Sequence, residues 1–555
     1  MKSTQNCKTK GRPQLFPQLF PQLFLFLLLL TSFLLLNPRI GLGVTYYVSS
    51  SQGNDANMGT SIVTPWKTLD KVEASIFNAG DRVLLNSGDI WREDLVFPSS
   101  GSESNKIEIA SYGQGTKPTI NGSRVLNNWQ AIGQGIFRHS FAGICYGLLE
   151  DGKPLKKASS TSLEDGNWYY SGMAIYYKPT VGSVSNHVVE RCSRANGILI
   201  RNKHDIIIEN INVYGPNGCG VKLVNCTRVE INNCDISSAA HYGILIESTE
   251  FLSVVKDIYV RSNKLEWNAN GIYILGKAGG YESKGANRCE VTNNVITYTN
   301  FENVWGHITK DGHAIGIQNT DNSIFEKNKI HHNYNGITLW TAPGFTSNNN
   351  LIIRNYITNN QLYGAAQGGD QGCIIANNIW AYNIIAYNGG LGEDIGGLRI
   401  NRGSNPPNYF LNNTLYSNDI NIYLYSYPNH NIIKNNISIE PIRYHIYIYS
   451  YKGDINNNIL NNNCYYSQAI NKFRYRYKDM LSYQQWKHES MQDTYSMFNN
   501  PLLLSDAPLN DYDFLLRNGS PCINKGTAID LNLNKDYFSN PIKNLPDIGA
   551  CESGL

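Results

Sequence analysis

The chain repeats one short pattern, in which two apolar residues flank a single variable residue and an Asn-rich segment follows. A glycine often precedes the pattern. Copies occur at residues 197–200, 220–223, 243–246, 271–274, 336–339 and 397–400. Successive copies begin about two dozen residues apart, a period typical of solenoids in which each unit buries its apolar face against its neighbours. The pattern therefore predicts an all-β solenoid.

Asparagine is frequent in the turns between the predicted strands, for example at Asn294, Asn328 and Asn355. Asparagine tolerates left-handed backbone, and its side-chain amide bonds neighbouring backbone groups. Stacked at equivalent positions of successive coils, these side chains can form ladders along the solenoid axis. We therefore assign nearly all of them a structural role.

The chain divides into five predicted segments. The first carries basic residues and then an uncharged apolar run at 23–36. This is typical of a signal peptide, and it is short for a membrane span of about 20 residues. An uncleaved membrane anchor is the alternative. The segments are a signal peptide, an N-terminal cap with the first coils, a β-rich insertion, the repeats, and a C-terminal helix with a capping segment, at 1–43, 44–122, 123–190, 191–470 and 471–555.

The region after the leader resembles the amino-terminal region of secreted right-handed parallel β-helix proteins of the pectate-lyase-like superfamily. The matching residues are 46–49, 53–55, 59–60, 65–69, 79–81 and 111–113. The resemblance implies a right-handed parallel β-helix. This superfamily includes polysaccharide lyases, epimerases and glycosidases, so the resemblance implies an architecture and no single activity. The tail at 519–526 and 546–552 resembles the closing segment of secreted bacterial β-helix proteins, and we expect it to cap the open end of the solenoid.

Two helices and one insertion complete the predicted elements. We expect short helices over 69–78 and 478–491. Residues 123–190 break the period and are rich in aromatic residues. A small hydrophobic core of their own is the favoured interpretation, and a sugar-binding platform is the alternative.

Charge and cysteine content exclude several classes of function. The formal net charge is +3, and five basic residues lie in the leader, so the mature chain has a net charge of −2. This gives no support for binding to nucleic acid or to an anionic membrane. The 11 cysteines show no CxxC pair and no Cys/His metal spacing. Whether Cys522 and Cys551 form a disulfide stays open, because export would permit one.

The variable residue of each pattern points outward, because side chains alternate along a strand. Followed along the axis, it predicts a stripe of Leu199, Lys222, Leu245, Tyr273, Gln318, Thr338, Arg399, Tyr423 and Tyr447. A second outward row contains Arg201, Glu247, Trp340, Asn401, Tyr425 and Tyr449. Polar and aromatic side chains suit sugars, whereas an ordinary solvent face is the alternative. As substrate-binding residues we select Tyr273, Gln318, Trp340, Arg402, Tyr423 and Tyr425.

Two gaps between copies are much longer than the period, from Gly271 to Gly316 and from Gly336 to Gly372. The extra residues predict loops beside one strand face, where repeat proteins usually build binding sites. These segments are 277–287, 301–313, 343–349 and 362–371.

Ionisable residues gather near these loops, and β-elimination on a uronic acid is the first chemistry that fits. It needs a base at C5 and a positive charge that neutralises the carboxylate. Lys310, His313 or Arg399 could supply either one. Calcium could supply the charge instead, held by carboxylates such as Asp311, Asp370 and Glu393.

Hydrolysis and epimerisation are the other two chemistries. Hydrolysis needs two carboxylates that flank the glycosidic bond, and Asp370 with Asp394 is the candidate pair. Epimerisation needs a base on each face of the sugar ring.

The sequence therefore predicts a secreted or cell-surface protein that acts on polysaccharide. Our leading hypothesis is a lyase of acidic polysaccharide with Ca²⁺ as the candidate cofactor. A non-catalytic glycan-binding protein or adhesin and a glycoside hydrolase are the alternatives. We expect a monomer with no nucleic-acid partner and no membrane association after leader cleavage.

Overall fold

A computed structural model describes residues 43–250, 255–278, 281–305, 312–390, 396–449, 457–468, 472–542 and 545–553. Residues 44–555 form one compact unit. The predicted signal peptide lies outside the described residues, apart from Gly43. In the described part of the chain, no helix is long and apolar enough to cross a membrane.

The fold is a right-handed parallel β-helix, as predicted. Each coil contributes one strand to each of three long sheets. Sheet 1 contains the strands that carry the repeated pattern: Leu95–Val96, Asn196–Arg201, Cys219–Val224, Tyr242–Ser248, Ile272–Ala278, His313–Gln318, Asn335–Thr341, Ala365–Gly369, Leu398–Ile400, Ile420–Leu424, Tyr444–Ile448, Phe473–Tyr475 and Lys478–Met480, with Tyr281–Glu282 paired at its side.

Sheets 2 and 3 follow sheet 1 in every coil. Sheet 2 contains Thr45–Val48, Arg82–Asn86, Ile107–Tyr112, His204–Glu209, Thr227–Asn232, Lys256–Arg261, Glu290–Thr292, Ile324–Glu326, Leu351–Ile353, Ile379–Ala381, Asn408–Leu411, Asn431–Lys434 and Ile459–Asn461. Sheet 3 contains Ile90–Trp91, Thr119–Asn121, Asn212–Tyr214, Asp235–Ser237, Lys264–Glu266, Val295–Thr297, Lys329–His331, Tyr356–Thr358, Ile384–Ala386, Thr414–Tyr416, Ile437–Ile439, Cys464–Tyr466 and Met497–Phe498.

The parallel register stacks apolar residues inside the coils. Ile198 pairs with Val221, which pairs with Ile244, and all three are fully buried. Branched side chains suit this position because they pack well on a pleated surface. With strands about 4.8 Å apart, the twelve spacings of sheet 2 give a core about 58 Å long.

Buried asparagine side chains form a ladder at the turn from sheet 2 to sheet 3. Each side-chain amide donates to the side-chain oxygen of the next asparagine at 3.0–3.1 Å. Each rung therefore satisfies polar groups that burial would otherwise leave without partners. The ladder contains Asn263, Asn294, Asn328, Asn355, Asn383, Asn413, Asn436 and Asn463. This confirms the structural role predicted for these residues.

Removing one rung of this ladder is expected to destabilise the fold. Asn355→Ala deprives the backbone amide and side-chain amide of Asn328 of an acceptor, and the carbonyl of Phe325 of a donor. We expect the free energy of unfolding to fall by about 1–3 kcal/mol, measured by chemical denaturation. Asn127→Ala is the control, because Asn127 is exposed. Equal losses in both variants would contradict a stabilising role for the ladder.

The insertion forms two small sheets with a core of their own. The strands are Ser123–Val125, Leu148–Glu150, Lys153–Pro154 and Val189–Cys192 in one sheet, and Gln130–Gly133, Ile136–Ser140, Lys156–Lys157, Asn167–Tyr170 and Ala174–Tyr177 in the other. Trp168 and Tyr177 are buried with Leu148 and Ile175. The hydrophobic-core interpretation is therefore confirmed.

An ion pair holds one loop of the insertion. Nδ1 of His187 lies 2.7 Å from a carboxylate oxygen of Asp151, and Nε2 lies 2.7 Å from the carbonyl oxygen of Val181. Both partners can only accept, so the imidazole donates from both nitrogens and is charged. Asp151 and then the Val181 carbonyl raise the pKa of His187, and the imidazole in turn lowers the pKa of Asp151.

This ion pair predicts a pH-dependent contribution to stability. The raised pKa of His187 means that its contribution is complete below its ordinary pKa and is lost as pH rises through the folded value. The lowered pKa of Asp151 means that its contribution is lost as acid protonates the carboxylate. We expect the melting temperature of His187→Gln to lie below that of the wild type near pH 6, with a difference that narrows toward pH 9. His488→Gln, at an exposed histidine, is the control, and a difference independent of pH would contradict the assignment.

Both predicted helices form, but they are shorter than expected. The first, α1, spans Leu69–Glu73, and Ser75 donates its hydroxyl to the carbonyl of Lys71 where the helix ends. The second, α2, spans Tyr483–Ser490. The start predicted for α2 is wrong because Lys478–Met480 pairs with sheet 1. Three 3-10 turns occupy Val184–Asn186, Phe301–Asn303 and Asp511–Phe514.

The C-terminal segment packs against sheets 2 and 3 of the last coils. Phe514, Cys522 and Ile548 are buried with Ile437 and Ile439. Cys522 and Cys551 are free thiols, so the disulfide that the sequence left open is not formed.

Candidate functional site

The outer face of sheet 1 is flanked by connections on both sides. The segments at 277–287 and 343–349 follow strands of sheet 1, and the segment at 301–313 leads into one. The predicted loop at 362–371 is wrong, because Ala365–Gly369 is the sheet 1 strand of its coil. These connections therefore lie at both ends of the sheet 1 strands, and residues 279–280 and 306–311 of them lie outside the described residues. The interval from Gly336 to Gly372 contains a sheet 1 strand, so its coil is close to ordinary length. Thr346–Asn348, in the segment at 343–349, pairs with Ile374–Ala376 in the connection that follows Ala365–Gly369.

The register of sheet 1 largely confirms the predicted outward stripe. The central row runs through Leu199, Lys222, Leu245, Tyr273, Gly316, Thr338, Ala366, Arg399, Tyr423 and Tyr447. The position predicted for Gln318 is wrong, because the central position of its coil is Gly316, between two isoleucines. Gln318 lies in the second row, where it pairs with Trp340.

Tyr273 lies across the strand that follows its own. A Cβ added at Gly316 would lie 2.3 Å from two atoms of the Tyr273 ring, so the ring covers the glycine. The ring centroid is 5.4 Å from that of Tyr242 and 5.9 Å from that of His313. Nδ1 of His313 lies 2.9 Å from the hydroxyl of Thr338.

Trp340 repeats this arrangement two strands further on. A Cβ added at Gly368 would lie 2.7 Å from the Trp340 ring and 3.0 Å from Cβ of Asn401. Trp340 and Tyr273 are both partly exposed. Two aromatic rings therefore lie against the face of sheet 1 with small residues beneath them.

The strand between Trp340 and Arg399 has no large outward side chain. Its outward residues are Ala366 and Gly368, both buried. Its inward residue, Gln367, accepts a hydrogen bond from the indole of Trp380 at 2.9 Å. Small residues alone therefore occupy the outward positions between Trp340 and Arg399, and the Trp340 ring covers one of them, Gly368.

Arg399 is a charged residue of this face, and two tyrosine rings hold it. Its guanidinium carbon lies 4.8 Å from the ring centre of Tyr425 and 5.7 Å from that of Tyr363. Its Nε is buried and has no hydrogen-bond partner in the described part of the chain. The guanidinium is therefore a cation on this face, and within the described ranges it is held by ring contacts and by no ion pair with a carboxylate.

Arg402 and Asp370 lie at the rim of the same face. Nε of Arg402 donates to the carbonyl of Gly369 at 2.6 Å, and its guanidinium lies 5.1 Å from the ring centre of Tyr427. Asp370 is exposed and directly follows the strand Ala365–Gly369. Burial raises the pKa of the neighbouring Cys373 thiol, while Arg402 opposes that change.

The predicted substrate-binding residues are not equally accessible. Tyr423 is 2% exposed and stacks on Tyr447 with ring centres 5.0 Å apart. We therefore no longer expect Tyr423 to contact a ligand directly. Tyr425 is partly exposed. Gln318 donates its amide to Glu282 at 2.7 Å, which ties the second row to the connection at 281–282.

Four candidate residues lie outside the described residues: Lys310, Asp311, Glu393 and Asp394. Two of the three proposed calcium ligands, Asp311 and Glu393, are among these four residues. Calcium takes six to eight oxygen ligands. Within the described ranges, the one group of three metal-ligating side chains is Glu150, Asp151 and His187 in the insertion, and there both imidazole nitrogens are already bonded. Of the three proposed calcium ligands, Asp370 alone lies within the described residues, so the calcium site stays a prediction.

Sequence reasoning missed several residues of this face. Tyr363 was overlooked because it precedes a strand of small residues that lacks the apolar pattern. The sequence pattern places glycine before the apolar pair and not at its centre, so it misses Gly316, and Gly368 lies in a strand that lacks the pair. A glycine at an outward position beside an aromatic residue in the preceding strand was the signal that could have identified both.

Comparisons with known proteins agree with the fold. Residues 108–296 match the family model described as a right handed beta helix region. A lacto-N-biosidase of Bifidobacterium longum is 43% identical over 84 residues, which are 14% of this chain and 5% of that protein. The chain thus matches a small part of this curated relative.

Solved structures give the same result over most of the chain. XylC in complex with xylose superposes with a TM-score of 0.62 at 12% identity, covering 92% of this chain and 99% of XylC. Pectate lyase Pel9A superposes with a TM-score of 0.42 at 14% identity, covering 92% of this chain and 96% of the lyase. At 12% identity the likeness to XylC shows the fold alone.

Proposed function

We propose that this right-handed parallel β-helix, which has the architecture of the pectate-lyase-like superfamily, binds and cleaves a polysaccharide on the outer face of sheet 1. One observation carries the proposal. The rings of Tyr273 and Trp340 lie against the sheet face, and the Arg399 cation lies on the same face, one strand beyond Gly368. Ring faces suit the apolar faces of sugars, and a guanidinium suits an anionic group.

Elimination is the reaction that Arg399 supports best. In this step a base removes the proton at C5 of a uronic acid, the C4–O bond breaks, a C4–C5 double bond forms, and the leaving oxygen takes up a proton. As the C5 proton leaves, negative charge develops on the oxygens of the carboxylate that is attached to C5. Arg399 would stabilise that charge by paired hydrogen bonds, because guanidinium matches carboxylate in shape. The strand of His313 lies three spacings, about 14 Å, from the strand of Arg399, so we do not assign His313 as the base that acts on the same sugar ring, and Lys310 stays our candidate.

Hydrolysis is the second candidate, and a separate observation favours it. The 84-residue match at 43% identity is to a lacto-N-biosidase. Asp370 would then act as one carboxylate at the rim of the face. The mechanism needs a second carboxylate across the glycosidic bond, for which Asp394 stays our candidate.

One assay separates the candidates. We would incubate the purified mature chain with polygalacturonate, alginate and chondroitin sulfate, with calcium or with a chelator. Elimination produces ultraviolet-absorbing unsaturated ends together with reducing ends. Hydrolysis produces reducing ends without new absorbance and is lost in Asp370→Asn. Binding without any product would overturn cleavage and favour a glycan-binding protein.

A further inference from the structure

We infer that Gly316 and Gly368 are positioning residues that create two sugar-stacking subsites, which bind consecutive parts of one acidic polysaccharide chain running along the solenoid axis. The inference rests on the proposed function and deepens it. It starts from two residues that have no side chain and lie on the candidate binding face.

The backbone does not require glycine at either position. Neither residue has a positive φ, so another amino acid fits the local conformation. Other glycines of sheet 1 differ in this respect. A Cβ at Gly336, for example, would lie 1.9 Å from the backbone oxygen of Gly364. There the neighbouring coil itself demands glycine.

At Gly316 and Gly368 the ring of a neighbouring side chain, and not the backbone of the next coil, leaves no room for a Cβ. The close atoms at Gly316 all belong to the Tyr273 ring, and the closest at Gly368 belongs to the Trp340 ring. A ring that lies over a glycine is pressed against the sheet and presents its opposite face. A methyl group at the glycine would push the ring away from the sheet. The ring would then present its edge, and not its face, to a sugar.

The spacing of the two rings gives the direction of the ligand. The strands of Gly316 and Gly368 are separated by the strand Asn335–Thr341. The two ring positions are therefore about 10 Å apart along the axis, and Arg399 lies one strand, about 5 Å, further on. The order Tyr273, Trp340, Arg399 fits an extended chain of several sugar units whose anionic group meets Arg399.

The test measures affinity for polygalacturonate, alginate and chondroitin sulfate by affinity electrophoresis, together with melting temperature. We expect Gly316→Ala and Gly368→Ala each to weaken binding of the retained polysaccharide about tenfold while the protein stays folded. In a Tyr273→Ala background, Gly316→Ala should cause no further loss, because the displaced ring is already absent. Leu199→Ala, in the same row four strands away, is the control and should bind as the wild type does.

Three results would overturn the inference. They are unchanged affinity in both glycine variants, additive losses in Gly316→Ala with Tyr273→Ala, and failure of the wild type to bind any of the three polysaccharides. If binding depended on the two glycines but no product formed, the subsites would be supported and cleavage rejected. If both glycine variants cleaved the polysaccharide as the wild type does, cleavage would be supported and the subsites rejected.

Discussion

Replacing Arg399 with alanine is expected to lower the rate of polysaccharide cleavage about 100-fold or more, the usual effect of removing a group that stabilises developing charge. The guanidinium is a cation held by tyrosine rings on the outer face of sheet 1, with a buried Nε that no described group bonds. We would measure initial rates on the cleaved polysaccharide at saturating and at low concentration. A lower rate at both concentrations indicates that Arg399 stabilises the transition state.

Arg399→Lys and Arg201→Ala make this experiment specific. Lysine keeps the charge but cannot form paired hydrogen bonds, so we expect partial activity. Arg201 is exposed on the same face, seven strands away, and its removal should change nothing. Full activity in Arg399→Ala, with a normal melting temperature, would contradict a catalytic role for this cation.

Trp340→Ala is expected to weaken polysaccharide binding about 30-fold, as for the loss of a central aromatic anchor worth about 2 kcal/mol. The ring lies over Gly368 and is partly exposed, so its removal deletes a contact surface and leaves no buried cavity. Stability should therefore change little. Isothermal titration of Arg399→Ala with and without Trp340→Ala, in which cleavage is slow, would measure the change in affinity separately from turnover.

Two further variants control for ring shape and for general surface effects. Trp340→Phe keeps a smaller ring over Gly368 and should lose less affinity than alanine. Tyr495→Ala removes a ring that is 74% exposed on the C-terminal segment and should have no effect. If Trp340→Ala bound as tightly as the wild type, the ring would have no part in recognition.

The sequence predicted the solenoid and most of its outward row for a simple physical reason. Side chains alternate along a strand, so a repeated apolar pair fixes which residue between them faces solvent. Tyr273, Thr338 and Arg399 were placed correctly in this way. The predicted row is wrong at Gln318. In that coil the glycine, Gly316, is the central outward residue, whereas the sequence pattern places glycine before the first apolar residue.

The remaining features depend on contacts between coils, which periodicity does not encode. The sequence predicts a loop over Ala365–Gly369 because the central inward residue of this strand is polar, and that residue, Gln367, is satisfied by Trp380 from another sheet. The burial of Tyr423 depends on neighbouring tyrosines stacked from the next coil. Contacts of this kind became visible only when the coils were stacked in register.

The most direct test is a crystal structure of the Arg399→Ala protein with an oligosaccharide from the polysaccharide that it binds. We expect the sugar chain to run along the axis on sheet 1, with one ring over Tyr273, another over Trp340, and an anionic group at the position of the missing guanidinium. Density for the sugar elsewhere would contradict the account. An example is the cleft of about 270 Å³ between Tyr382, Leu411 and Ile529 beneath the C-terminal segment.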